Sequence, residues 1–103
     1  MYFINMTPHT IVLNDGQEIV ACGKVARVSS SYTEFDKLGI CEVKFGEITD
    51  LPEPREGAIY IVSAMVAEAA KRTDVVSPAT GHPDCRRDAE GHIVSVPGFV
   101  RWA

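Results

Sequence analysis

Residues 58–78 read AIYIVSAMVAEAAKRTDVVSP, and the fold turns on them. AIYIV (58–62) is a continuous apolar run of strand length, the pattern of a strand covered on both faces. Ser63 then precedes AMVAEAAKR (64–72), rich in alanine and in good helix formers. Ser63 is placed to cap the start of a helix, and Lys71 and Arg72 to face its negative end. DVVSP (74–78) returns to strand-forming residues. The segment is therefore read as strand, helix over about 63–72, strand. Apolar residues fall on most sides of the helix, which predicts that it is largely buried.

Working outward, LPEPREG (51–57) is a rigid connector, since two prolines and a glycine interrupt any regular element. Upstream of it, KVARVSS (24–30) and ICEVKFGEI (40–48) read as strands. In the first, Arg27 alternates among small residues. In the second, Cys41, Val43 and Phe45 face one way and Ile40, Glu42 and Lys44 the other. Gly46 marks a bulge or bend. SYTEFDKLG (31–39) between them is a loop with a short turn. Near the start, YFINM (2–6) is β-prone, and IVLN (11–14) and EIVA (18–21) flank Asp15-Gly16, a strong hairpin signal. At the far end, HIVSV (92–96) and GFVRW (98–102) form an extended arm broken at Pro97. These readings predict an α+β fold: one domain, 1–103, with a mainly antiparallel sheet of about seven short strands and one buried helix.

Composition narrows the function. The apolar share of 46% suits a folded domain, and the net charge is −4. An acidic chain lacks the basic face that duplex nucleic acid requires, although a local basic pocket is compatible with it. Cys22, Cys41 and Cys85 are odd in number and widely spaced, so reduced thiols in the cytoplasm are the expectation. No run approaches the ~18 apolar residues of a membrane span. MYFINMTPHT lacks the charged and apolar regions of a signal peptide.

The span DVVSPATGHPDCRRDAEGHI (74–93) gathers the reactive side chains. His82-x-x-Cys85 has ligand-like spacing, with His92, His9 or another cysteine as further donors, but the paired ligands of a structural zinc site are missing. Cys85 beside Arg86 has the setting of a thiolate, without an accompanying catalytic signature. Ser63 lacks the glycines of a nucleophile elbow, and helix capping explains it better. Anion binding draws on more residues: Arg86 and Arg87 as forked donors, Thr80 beside Gly81, Ser63 at the helix start, His9 behind Pro8, and Arg27. That set suits a nucleotide-like ligand with its base against Tyr60 or Trp102. The plainer reading pairs Arg87 with a local carboxylate such as Asp88 or Glu90 and leaves a solvated turn.

The motifs TPHTI (7–11), ARV (26–28), LPEPREGAIYIVSAMVAEAA (51–70), RTDVVSPATG (72–81) and RDAEGHIVSVPGFVR (87–101) together resemble a family of small proteins encoded by phages, prophages and bacteria. The resemblance covers most of the chain and implies a cytoplasmic accessory role. The expectation is a non-enzymatic, homo-oligomeric protein that needs no cofactor. It would bind a small anionic molecule through His9, Arg27, Ser63, Thr80, Arg86 and Arg87, sequestering a host immune signal. One alternative is a module that blocks a host defence protein or serves a structural interaction. Another is a small hydrolase using metal or Cys85. The tail HIVSVPGFVRW is the candidate for self-association, by adding a strand to a second copy, and equally for closing the chain's own sheet.

Overall fold

The computed structural model describes residues 1–103. In chain order the elements are β1 (Tyr2–Asn5), β2 (Ile11–Val12), β3 (Glu18–Ile19), β4 (Arg27–Tyr32), β5 (Val43–Thr49), β6 (Ala58–Ile61), α1 (Ala64–Ala70), β7 (Val75–Pro78), β8 (Arg86–Arg87), β9 (Ile93–Ser95) and β10 (Phe99–Arg101). The α+β class and the single helix stand. The sheet does not match the expectation. It has four strands in the order β1-β6-β7-β10, with β1, β6 and β7 parallel and only β10 antiparallel. The remaining strands form two-stranded ribbons, β2-β3, β4-β5 and β8-β9.

The correction has a simple cause. Strands joined by a two-residue turn must run antiparallel, whereas a helical crossover of about a dozen residues returns the chain in the same direction. The strand–helix–strand reading of 58–78 already contained such a crossover, and it makes β6 and β7 parallel neighbours. β1 then joins β6 in register from Tyr2 opposite Ala58 to Asn5 opposite Ile61.

β6 is buried along its whole length, as its apolar run requires. Its residues alternate between two cores. Ala58, Tyr60 and Val62 pack with Met6, Ala26, Val75 and the α1 residues Val66 and Ala67. Ile59 and Ile61 pack on the other face with Ile11, Val76 and Val96. The Ser63 side chain accepts a hydrogen bond from the Val66 N–H, so the predicted cap forms. The helix is shorter and less buried than its composition implied: Val66 and Ala67 are covered, while Met65 is 48% exposed. Two turns resting on a sheet can hide one face only. Lys71 becomes the left-handed C-cap, and Arg72 turns away to a bidentate pair with Asp74, at 3.0 and 2.7 Å.

The Asp15-Gly16 hairpin forms, with Gly16 at φ +93. The tail does not reach outward as a free strand, because β10 closes the chain's own sheet against β7. The Trp102 indole N–H donates to the buried Ser77 hydroxyl at 2.9 Å and fixes the end of that strand.

Candidate functional site

Three parallel strands finish on the same edge of the sheet, and each continues into a loop carrying hydroxyl or imidazole groups. After β1 come Thr7, His9 and Thr10; after β6, Ser63; after β7, Thr80. These residues line one hollow of about 420 Å³, a size that suits a small molecule. The carboxyl edge of parallel strands is where ligands settle in open α/β sheets. Ile11, Val12, Ile93, Val94 and Val96 give the hollow an apolar wall, and Ser95 adds a hydroxyl.

Asn5 builds the first loop. It is 1% exposed at the end of β1. Its amide donates to the carbonyls of His9 and Ile19 at 2.9 and 2.8 Å. Its Oδ1 accepts from the Thr7 backbone N–H at 3.0 Å and from the Thr7 hydroxyl at 2.7 Å. One buried side chain therefore folds the Thr7–His9 turn and ties it to the β2-β3 ribbon. The apolar wall is held by a second asparagine, since Asn14 Oδ1 accepts from the Ser95 hydroxyl at 2.6 Å.

The structure brings together three of the six predicted contact residues, His9, Ser63 and Thr80. Arg27 lines an adjoining hollow that shares Thr7 and Ser63 with the first. Arg86 and Arg87 lie outside both linings, on the exposed strand β8. The Arg87 guanidinium donates to the carbonyls of Gly91, at 2.9 Å, and Thr80, at 3.2 Å, which sets it at the rim beside Thr80. Arg86 donates to the Asn14 carbonyl at 3.3 Å. The predicted carboxylate partners of Arg87 are not used, because Asp88 instead caps its own turn through the N–H groups of Glu90 and His92.

Tyr60 is fully buried and donates to the Glu53 carbonyl, so no base can stack on it from solvent. Trp102, bound to Ser77, is likewise absent from the lining. The apolar surface offered to a ligand is instead aliphatic. His82 and Cys85 do not share a ligand cluster with His92. His92 lies 3.5 Å from carboxylate oxygens of Asp88 and Glu90 on an exposed turn. The His82 Nδ1 accepts from the Asp84 N–H at 3.0 Å, and Cys85 is half-buried against the core of Ile61 and Val96.

Thr7, Thr10, Ser95 and Asn5 were missed by reading the sequence. TPHT (7–10) does place a hydroxyl two residues before His9 and one beside it, which is a legible sign. The role of Asn5 was legible only as a polar residue interrupting the apolar run YFINM. No helix is long and apolar enough to cross a membrane. Comparison with family models, with curated proteins and with solved structures found no match for this chain.

Proposed function

We propose that this protein is a non-enzymatic binder of a small, nucleotide-like anion, in an accessory role of the phage type that sequesters a host immune signal. The observation that carries the reading is the convergence of three strand-end loops on one aliphatic hollow, with an exposed arginine near it on two sides. Arg27 stands beyond the ridge of Thr7 and Ser63, and Arg87 stands beside Thr80. An uncharged heterocycle fits the Ile11, Val94 and Val96 wall, where water is cheaply displaced. Thr80 and the free hydroxyl proton of Ser63 suit sugar or phosphate oxygens, and His9 orients the ligand.

Charge recognition in this reading comes from the rim. Arg87 now satisfies two carbonyls that water can also satisfy, so exchanging them for a phosphate costs little and gains a charge-assisted fork. Arg86 adds to the positive field beside it. Isothermal titration against mono-, di- and cyclic nucleotides and the matching nucleosides tests the proposal. Thr80→Val and Arg27→Ala should each weaken nucleotide binding about tenfold, the loss of one good hydrogen bond. Arg86→Ala combined with Arg87→Ala should abolish it without unfolding the chain. Equal affinity for nucleoside and nucleotide removes the arginines from the account, and no heat from any of them removes the ligand class.

A further inference from the structure

The β4-β5 ribbon leaves the body as an arm. Its contacts with the core stop at the base, where Val28 and Ile48 pack against the helix-side cluster. The molecule measures 49 × 38 × 22 Å and has a radius of gyration of 15.4 Å, against about 13 Å for a compact chain of this length. The arm has two unlike faces. Tyr32 pairs with Val43 and Ser30 with Phe45 on one; Ser31 pairs with Lys44 on the other. The first face is mainly apolar, and beyond Val28 and Ile48 its side chains stay exposed, Val43 at 48% and Phe45 at 37%.

The tip, which joins β4 to β5, carries further exposed apolar side chains. Phe35, Leu38 and Ile40 are 72%, 83% and 58% exposed, and Tyr32 is 71% exposed. Their backbone is held by an ordered turn. Asp36 Oδ1 accepts from the N–H groups of Leu38 and Ile40 at 2.8 and 3.0 Å, and the Thr33 hydroxyl accepts from the Glu42 N–H at 2.8 Å. A loop whose backbone is already ordered by hydrogen bonds gives up less freedom on binding than a slack one.

We infer that the apolar face of this arm is an interface with a second copy of the chain, packed arm against arm about a two-fold axis. Area favours that occupant. With about 150–200 Å² per large side chain, the exposed fractions amount to roughly 600 Å², the size of the largest patch on a typical monomer. Two such faces bury about 1,200 Å² together, which reaches the range of specific interfaces. An isologous contact needs only one self-complementary patch, and a two-stranded face meeting its twin at about 10 Å is ordinary sheet packing. The tail strand β10 is already paired with β7 in its own sheet.

Sedimentation velocity over a dilution series of the full chain tests this. The native protein should sediment as twice its 11.2 kDa mass and dissociate on dilution. Leu38→Asp and Tyr32→Asp should each raise the dissociation constant about 30-fold or more, as loss of a central contact does. Ser31→Asp, on the opposite face, should leave association unchanged, and circular dichroism should show all three variants folded. A native chain that stays at 11.2 kDa at every concentration overturns the inference. So does an oligomer indifferent to Leu38→Asp and Tyr32→Asp, or one that Ser31→Asp disrupts equally.

Discussion

Strand β6 and the β4-β5 arm are both short, both rich in β-formers, and opposite in fate. β6 alternates between two apolar cores and is buried throughout. The arm alternates between an apolar and a polar face, and both meet solvent. The difference lies in how many faces ask to be covered. An apolar run on both faces can be satisfied only from above and below, and α1 on one side and the β2 and β9 segments on the other supply that. A strand with one apolar face needs one partner layer. Val28 and Ile48 find it in the body, and the rest of the arm does not. Stability is therefore concentrated in the body, and the arm carries exposed apolar surface that adds little to it.

The sharpest way to break this contrast is to remove equal volumes from the two regions. Ile61, which is wholly buried, should lose about 2–5 kcal/mol of unfolding free energy when changed to alanine, through lost burial and the cavity left behind. Leu38→Ala removes as many carbon atoms from a site already 83% exposed, and should change the stability of the dissociated monomer by no more than about 0.5 kcal/mol. Urea unfolding at high dilution measures both. Similar losses from the two variants would mean that the arm is part of the cooperative core.

A smaller loss should follow from Asn5→Ala, at the point where the body becomes the site. The substitution strips partners from the His9 and Ile19 carbonyls and from the Thr7 N–H, for about 1–3 kcal/mol. Because the Thr7–His9 turn loses its anchor, nucleotide binding should fall with stability, whereas association through the arm should persist. The urea midpoint, titration and sedimentation of this one variant separate the three properties.

What could be read in advance follows the same division. The strand–helix–strand core was legible because a two-faced apolar run and a capped alanine-rich stretch are local signals. The parallel direction was legible too, in the helical crossover, but counting strands by their turns obscured it. The site was half legible: His9, Ser63 and Thr80 follow strand ends and so share an edge, a consequence of topology. Arg86 and Arg87 were placed by residue type alone, and type does not say which side of a turn a guanidinium leaves from. Alternation revealed Val43 and Phe45 sharing a face, but it could not reveal that the face stays bare, because coverage depends on where every other element goes.

The smallest effect probes the joint between the two regions. The connector after β5 is pinned where Arg72 donates to the Pro52 carbonyl at 3.0 Å, with its guanidinium 5.9 Å over the Tyr60 ring. Arg72 is aimed by Asp74, and the two side chains are 26% and 21% exposed. The hydrogen bonds from Arg72, aided by its charge and opposed by partial burial, hold the Asp74 carboxyl below its ordinary 3.8. The hydrogen bonds to Asp74 push Arg72 above the ordinary guanidinium range, so it stays charged throughout and only the carboxyl titrates. A carboxyl with a depressed folded-state pKa contributes its stabilisation fully above the unfolded value, and loses it as pH falls through the folded value. At neutral pH, Asp74→Asn should therefore cost about 1 kcal/mol, a drop in Tm of roughly 5 °C for a domain of this size. The gap between native protein and variant should narrow as pH drops below 3.8 and close once Asp74 is protonated. A gap that stays constant into acid would show that Asp74 holds the joint by shape and hydrogen bonding that a neutral carboxyl also provides, and that the arm is fastened to the body without help from charge.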